Sequence, residues 1–208
     1  MLFAANAFIP DPPFVPPARL RRFSVVVPAH NEAQNLPRLL TSLASEDYPR
    51  DHLRATVIAD NCTDATATIC AGFDVDVLER HDPVNRGKGH AIQWALPHLG
   101  LERFDALVVV DGDSVIEPGF LRHLNLQMEK GDRVIQCYNG VANPAQSWFT
   151  RLMDVSRTMA NEILHPAKRK LGLSSYLMGN GMCFDVGTLA STGWNALSVG
   201  EDWEYYAQ

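Results

Sequence analysis

The stretch ALVVVDGDS, Ala106 to Ser114, decides the fold. Its five leading apolar residues, four of them branched, predict a strand that is buried on both faces of a parallel sheet. Asp111 and Asp113 follow where this strand stops. Because side chains two apart in extended backbone point to the same side, the two carboxylates can converge on one point, and Gly112 lets a ligand approach the backbone closely.

Two carboxylates that face one point repel each other unless a cation or a proton lies between them. Open α/β sheets bind ligands at the carboxyl ends of their strands, so the pair favours a hard divalent ion, Mg²⁺ or Mn²⁺, that also holds a phosphate. The alternative is an ordinary Asp-Gly turn with a solvated Asp113, since both residue types are common in turns. The pair alone does not separate these interpretations.

The composition is that of a soluble globular protein. The 208 residues are 46% hydrophobic and carry a net charge of −6, which argues against a nucleic-acid partner because such binding needs clustered positive charge. No stretch reaches the roughly 18 apolar residues that a bilayer span requires. The four cysteines show no CxxC spacing, which favours buried thiols in a reducing cytoplasm over disulfides or zinc.

Three further strands are expected before this one, at residues 23–28, 52–60 and 75–80. Each is followed by a helical pattern, and this alternation is typical of βαβ crossovers in a mostly parallel sheet flanked by helices. The fold class is therefore α/β. In the first helix we expect Asn31 as the cap, and Pro37 delays the regular helix until about Asn35. One face of this helix carries four leucines: Leu36, Leu39, Leu40 and Leu43.

Beyond Ser114 the alternation loosens. Residues 146–171 place apolar side chains at helical spacing, and such a stripe usually belongs to the core. Because a basic run, 168–170, follows, the same face could also rest on a membrane surface or an apolar acceptor. The apolar stripe of residues 146–171 comprises Trp148, Phe149, Leu152, Met153, Val155, Met159, Ile163 and Leu164.

The stretch SYLMGNGMCF predicts a strand interrupted by Gly179 and Gly181.

Six motifs in order give the chain a resemblance to a known family: FSVVVPAHNE, VIADNCTD, NRGKGHA, VVVDGDS, GNGMCF and GEDWE. In this order and at these separations they resemble the family 2 glycosyltransferases of GT-A fold, over about residues 23–206. One such motif occurs often by chance, whereas six in order do not. The resemblance implies a Rossmann-like, mostly parallel sheet with a mixed acceptor-side half.

The implied reaction moves a sugar from a nucleotide-sugar donor, usually UDP-linked, to a hydroxyl acceptor with inversion. Partners would be that donor and a saccharide or lipid-linked acceptor. The proline-rich residues 1–22 predict an extended leader rather than a signal peptide. The resemblance implies a nucleotide-sugar-binding half at 23–115 and an acceptor-binding half at 116–208. The last half ends without a helix cap, so we expect a catalytic domain truncated at its C-terminus. The expected location is cytoplasmic, with peripheral contact at the inner face of a membrane if membrane helices follow.

The resemblance also implies roles on the donor side. Asp60 would read the uracil edge, and an aspartate at a strand end can indeed accept an imide N–H. Asp111 would lie nearer the nucleoside, beside Gly112, and Asp113 would be the direct ligand of Mn²⁺ or Mg²⁺. The remaining donor contacts would come from Pro28, His30, Asn31, Glu32, Arg86 and Lys88.

On the acceptor side Asp202 is the implied catalytic base, because a hydroxyl is a poor nucleophile until it is deprotonated. Simple helix capping is the alternative role for Asp202. The other implied acceptor-side residues are Gly179, Asn180, Gly181, Glu201 and Trp203.

Three departures from the family pattern affect these expectations. Ala59 replaces an acidic residue before Asp60, so one ribose or base contact is expected to be missing. Gly200 replaces a threonine before the ED pair, which weakens the local fixing of the base. No QxxRW motif occurs in these residues, so either the enzyme is nonprocessive or the part that carries this motif is absent; the uncapped ending favours its absence.

Two other functions remain open at this point. One is a noncatalytic or inactive fragment that binds a nucleotide sugar. The other is a sugar-1-phosphate nucleotidyltransferase, which would need a glycine-rich basic loop after the first strand, where this chain has AHNEAQN.

Overall fold

The structure, a computed structural model, describes residues 18–207. Most of the expected leader therefore lies outside the described residues. The described chain contains a six-stranded sheet in the order β3-β2-β1-β4-β6-β5. Its strands are β1 Phe23–Ala29, β2 Leu53–Asp60, β3 Asp76–Arg80, β4 Ala106–Val109, β5 Val134–Gln136 and β6 Met182–Asp185.

The sheet is mostly parallel, as predicted. β1 pairs in parallel with β2 and β4, and β2 pairs in parallel with β3. β6 runs antiparallel to both β4 and β5, which makes the second half of the sheet mixed. All four residues of β4 have no exposed surface, which confirms the expectation that this apolar run is buried on both faces.

The α-helices of the described residues are α1 Leu36–Ala44, α2 Thr66–Ile69, α3 Lys88–Ala95, α4 Phe120–Glu129, α5 Trp148–Thr158, α6 His165–Lys170, α7 Val186–Thr192 and α8 Glu201–Tyr206, with a π-helical segment, Met159–Leu164, between α5 and α6. Helices flank the sheet, with α1 and α4 on one face and α3 on the other. Within residues 18–207, no helix combines the length and apolar character that crossing a bilayer would require.

Alternate residues of the central strands pack into two separate hydrophobic cores, one on each face of the sheet. Val25 and Val27 of β1 belong to one core, which includes the leucines of α1 and Leu121 of α4. Val26 belongs to the other core, together with Ile92 of α3. This alternation is the two-residue period of a strand that is covered on both sides.

The expected helix cap at Asn31 is wrong. α1 begins after Asn35, as Pro37 required, and Asn31 lies outside it in the left-handed region with φ of 57°. Its side-chain oxygen instead accepts a hydrogen bond of 2.8 Å from the backbone N–H of Thr63. Asn31 therefore joins two loops at the end of the sheet, and asparagine tolerates this backbone conformation better than most residues.

The expected strand through the glycine pair is wrong in its first part. β6 begins at Met182, after both glycines. Gly179 and Gly181 have φ values of 78° and 66°, which extended strands do not adopt. The segment before β6 is consequently a loop, and its tight turns depend on glycine.

The contacts divide the chain into two units. The described part of one is Tyr138–Tyr176, which holds α5, the π-helical segment and α6; the other comprises 18–137 and 177–207. A functional division between residues 115 and 116 remains a prediction.

The expectation that the apolar stripe of 146–171 belongs to a core is wrong for its first part. Trp148 is 76% exposed, and four further apolar side chains in this stretch are between 55% and 57% exposed. These four are Phe149, Leu152, Val155 and Met159. The helical periodicity was predicted correctly, but no described part of the protein covers this face.

Candidate active site

The predicted polar residues gather at one edge of the sheet. The four parallel strands end there, so the segments that follow β1 and β4 emerge beside Asp60 and Arg80, the last residues of β2 and β3. β6 runs the opposite way, so the glycine loop that precedes it lies at the same edge. The carboxyl edge of a parallel sheet is the usual ligand site of α/β folds.

A lysine links three segments at this edge. The ammonium group of Lys88, at the start of α3, donates to Asp111 Oδ1 and to the backbone oxygen of Gly179. It also lies 3.7 Å from Glu201 Oε1, at the start of α8. Asp202 follows Glu201 and lies beside Gly179: a β-carbon on Gly179 would be 3.4 Å from Asp202 Oδ2.

These residues surround a cleft of about 350 Å³. Six predicted site residues line it: Arg86, Lys88, Asp111, Gly179, Glu201 and Asp202. A more open depression of about 480 Å³ on α1 has Arg38 as its only charged lining residue. We assign the candidate site to the cleft of about 350 Å³, because of these two depressions among the described residues it is the one that brings carboxylates and cations together.

Asn180 holds the aspartate turn in place. Its side-chain oxygen accepts from the backbone N–H of Asp111 at 3.0 Å, and its amide group donates to Ser114 Oγ at 2.8 Å. The backbone oxygen of Asn180 in turn accepts from Gln136 Nε2 at 2.7 Å. The glycine loop and the aspartate turn are therefore fixed to each other by a side chain that the sequence had placed on the acceptor side.

Asp60 is held by a buried ion pair. Arg80 donates to Asp60 Oδ1 at 2.6 Å, and their side chains are only 5% and 9% exposed. The other guanidinium nitrogen of Arg80 reaches Asp82 at 3.0 Å and the backbone oxygen of Asn85 at 2.7 Å. Arg80 thus fixes both Asp60 and the loop that leads to Lys88.

This loop is further ordered by Asp82. Its carboxylate accepts from the backbone N–H groups of Val84 and Asn85 and from the Asn85 side chain. The hydrogen bonds from Asn85 are the main cause that lowers the pKa of Asp82 to about 2. Arg86 follows, exposed, with its Nε donating to the Pro83 backbone oxygen at 3.0 Å.

The turn after β1 lies beside the strand ends. His30 Nδ1 is 2.8 Å from the backbone oxygen of Asp60. The Glu32 backbone N–H donates to Thr66 Oγ1 at 2.8 Å. A β-carbon on Gly112 would lie 3.3 Å from Glu32 Cγ, so this turn contacts the aspartate turn directly, and the space there suits glycine.

The two acids that open α8 differ in environment. Glu201 is 8% exposed, and burial raises its pKa although Lys88 acts in the opposite direction. Asp202 is less buried and lines the cleft. Glu204 secures the adjoining loop by accepting 2.9 Å hydrogen bonds from Leu197 and Ser198, and the bond from Ser198 is the main cause that lowers the pKa of Glu204.

Not every predicted residue joins the cleft. Asp113 is exposed and does not line the cleft as Asp111 does, Pro28 is half-buried in β1, and Trp203 is 57% exposed on α8. Gly181 packs near Cys137, since a β-carbon there would lie 3.1 Å from Cys137 Cβ. Within residues 18–207, no group of three His, Cys, Asp or Glu side chains is arranged to hold a metal on its own.

Sequence reasoning missed Arg80, Gln136 and Glu204. Each acts by fixing a predicted site residue or a neighbouring loop rather than by lying in a motif. Arg80 alone left a signal, because a charged residue that ends a strand beside Asp60 needs a partner when it is buried.

Comparison with known proteins shows which family this chain belongs to. The sequence profile described as "Glycosyltransferase like family 2" matches residues 19–207. This chain belongs to that family. A β-monoglucosyldiacylglycerol synthase from Nostoc sp. is 29% identical over 188 residues, which are 86% of this chain and 39% of that protein. The chain thus spans about two fifths of the length of this relative.

Solved structures confirm the GT-A fold of this family member. A mannosyltransferase from Pyrobaculum calidifontis, in complex with GDP-Man and Mn²⁺, superposes with a TM-score of 0.73 at 21% identity, covering 99% of this chain and 56% of that one. Glucosyl-3-phosphoglycerate synthase from Mycobacterium tuberculosis, in complex with UDP, gives 0.56 at 23% identity, covering 87% and 64%.

Proposed function

We propose that this domain transfers a sugar from a UDP-linked donor to the hydroxyl group of a lipid or saccharide acceptor, with inversion and with the assistance of a divalent metal. The observation that carries the proposal is the cleft that joins Lys88, Asp111, Glu201 and Asp202 at the ligand edge of the sheet. Family membership supports it, since the synthase from Nostoc sp. is named for a glucosylated diacylglycerol.

Asp60 is the residue that we propose reads the base. Arg80 occupies its Oδ1, which holds the carboxylate in one orientation. Uracil presents an imide N–H that a carboxylate oxygen accepts. Guanine also presents N–H donors, and the mannosyltransferase neighbour was solved with GDP-Man. The choice of UDP rests on the motif resemblance, and a comparison of donors tests it.

The residues of the aspartate turn fit a divalent metal. Carboxylate oxygens are the ligands that Mg²⁺ and Mn²⁺ prefer, and the exposed Asp113 follows the cleft residue Asp111 by two positions. Asp111 is already paired with Lys88, so we assign Asp113 as the direct ligand and Asp111 as the second. With few protein ligands, such an ion would be completed by the phosphates and by water. When bound, it would neutralise negative charge on the departing diphosphate.

We propose that Lys88 acts beside that metal. Its ammonium group lies among Asp111, Gly179 and Glu201, so it offsets the negative charge of the two acids. A diphosphate that enters the cleft brings further negative charge, which a lysine at this position attracts. Lys88 therefore offsets the charge of the two acids before the donor binds and attracts the diphosphate when the donor enters.

Asp202 is the general base that we propose. It is more accessible from the cleft than Glu201, whose burial leaves it against Lys88. A carboxylate within hydrogen-bond reach of an acceptor hydroxyl can take its proton while the oxygen attacks the anomeric carbon. Inversion follows if this attack is a single displacement.

Transfer assays with this chain test the proposal. UDP-glucose and diacylglycerol in detergent, with Mn²⁺, should give glucosylated lipid, and chelation with EDTA should stop the reaction. Asp202→Asn should lower turnover by about 10²- to 10⁴-fold while donor affinity is retained, because a general base supplies that range. Asp113→Ala should weaken metal-dependent donor binding instead.

Asp74→Asn is the matched control, because the Asp74 side chain is 91% exposed and pairs only with Arg54 in the described structure. Equal rates with and without EDTA would refute the metal role. Tight UDP binding by the unmodified chain without any turnover, across several acceptors, would support the noncatalytic fragment. The nucleotidyltransferase alternative is disfavoured by the family match and by AHNEAQN after β1.

A donor panel tests the base. Thermal stabilisation by UDP-, GDP- and dTDP-sugars, each with Mn²⁺, should be largest for a UDP-sugar. Greater stabilisation by GDP-mannose would mean that the donor carries guanine rather than uracil.

We propose that the domain lies on the cytoplasmic side of the membrane. Its four cysteines support this location, because they are free thiols in the described structure.

A further inference from the structure

The helix α5 has its apolar face turned outward. Trp148, Leu152, Val155 and Met159, the residue directly after α5, recur at spacings of three and four residues, so they share one face, and Phe149 lies beside it. Their exposed fractions run from 55% to 76%. Asp154 and Arg157, on the other side, are only partly exposed. A helix in contact with water alone would show the opposite arrangement.

The start of this helix is firmly set. Ser147 and Thr150 form a capping box, in which the Ser147 side chain accepts from the Thr150 backbone N–H and the Thr150 side chain accepts from the Ser147 backbone N–H. Trp148 is the first residue of the helix. The exposed aromatic pair, Trp148 and Phe149, is consequently held at a defined place, with ring centroids 6.0 Å apart.

The charge of the same unit is opposite to that of the chain. Residues 138–176 contain five Lys or Arg and two Asp or Glu, a net charge of +3, whereas the whole chain carries −6. Three of these basic residues form the end of α6, Lys168–Lys170. Of these three, Arg169 is exposed, and Lys168 and Lys170 are partly exposed. Exposed apolar and aromatic side chains in a unit of net positive charge are typical of a segment that binds the interface of an anionic membrane.

We propose that the outward face of α5 docks on the surface of an anionic lipid bilayer. Trp148 and Phe149 would enter the headgroup region, where aromatic side chains are favoured. Leu152, Val155 and Met159 would extend the apolar contact, and the basic residues of the unit would attract anionic headgroups. A second copy of the chain is a less suitable occupant, because two such faces would bring two positively charged units together.

Vesicle sedimentation with this chain tests the docking. Vesicles of phosphatidylcholine with 30% phosphatidylglycerol should bind the protein at least tenfold more strongly than phosphatidylcholine alone, and 0.5 M NaCl should remove most of the difference. Val155→Asp should reduce binding at least tenfold. Val115→Asp is the matched control, because Val115 is 49% exposed in the other unit and Val155 is 56% exposed. It should bind vesicles like the unmodified chain.

UDP binding by each variant, measured by calorimetry, shows that the protein is folded and separates this proposal from that for the cleft. Three results would overturn the docking: no binding to either vesicle, equal loss in Val115→Asp and Val155→Asp, or concentration-dependent dimers that Val155→Asp dissociates. The last result would assign the face to a second copy of the chain.

Discussion

Helices α1 and α5 carry nearly the same pattern of apolar residues in opposite surroundings. The four leucines of α1 are at most 3% exposed, whereas Leu152 and Val155 of α5 are 57% and 56% exposed. The pattern shows which residues share a face. It does not show what covers that face, because the cover comes from distant parts of the chain or from another molecule.

The strongest test of this comparison is a pair of truncations. Leu39→Ala in α1 should lower the free energy of unfolding by about 2 to 5 kcal/mol, because it removes a fully buried side chain and leaves a cavity. Leu152→Ala in α5 should change it by less than about 0.5 kcal/mol, as expected for a surface position. Urea unfolding of both variants measures the difference. Equal losses would mean that the face of α5 is covered in the protein as it exists in solution.

A second test uses α3, against which the backbone of residues 196–197 packs closely. A β-carbon on Gly89 would overlap the backbone oxygen of Ala196 and lie 3.1 Å from Leu197 Cα. Gly89→Ala should therefore destabilise the fold by about 1 to 3 kcal/mol, the usual cost of overpacking. Because Gly89 follows Lys88, weaker UDP binding should accompany the loss.

Gly72→Ala provides the control for that variant. Nothing lies within 4 Å of a β-carbon at Gly72, and its backbone conformation is open to other residues. Alanine there should be neutral or stabilise by up to about 1 kcal/mol, through the unfolded chain. If the two alanine variants were equally stable, the close approach of α3 to residues 196–197 would be wrong.

The smallest expected effect concerns a buried charge just after α1. Glu46 accepts a 3.0 Å hydrogen bond from the Leu121 backbone N–H, and its Oε2 has no hydrogen-bond partner among residues 18–207. Burial raises the pKa of Glu46 above its ordinary value of 4.5. The folded state therefore holds this proton more tightly than the unfolded state does.

The sign of the pH effect follows directly. The stabilisation is fully present below pH 4.5 and is lost as the pH rises through the folded-state pKa. Glutamine does not titrate, so Glu46→Gln should remove the decrease in unfolding free energy that comes from deprotonation of Glu46. The variant and the unmodified protein should therefore differ in how the unfolding free energy changes between pH 4.5 and 7. Identical pH profiles would show that Glu46 titrates as it does in the unfolded chain.

The strands of this fold were readable from the sequence because their residues decide them locally. β1, β2 and β4 each contain a run of apolar or β-branched residues, at 25–27, 55–59 and 106–109, and each of these runs is buried as the pattern predicts. The errors arose where a distant partner decides. Asn31 resembles a helix cap, but Thr63 engages its side chain and Asn35 precedes the helix instead.

The candidate site was readable only in part for the same reason. The motif order identified Lys88, Asp111 and Asp202, which the fold gathers at one cleft. Sequence alone gave no sign that Asn180 would bond to the aspartate turn, or that Gln136 would hold Asn180. Those contacts join segments 44 to 69 residues apart, and no local pattern encodes them.

The most direct test of the central claim is a crystal structure of this chain with UDP and Mn²⁺. We predict the base beside Asp60 and the diphosphate between Lys88 and the Asp111–Asp113 turn, with an ion on Asp113. A nucleotide bound elsewhere, for example in the depression on α1, or an empty cleft with both aspartates turned to solvent, would contradict the account.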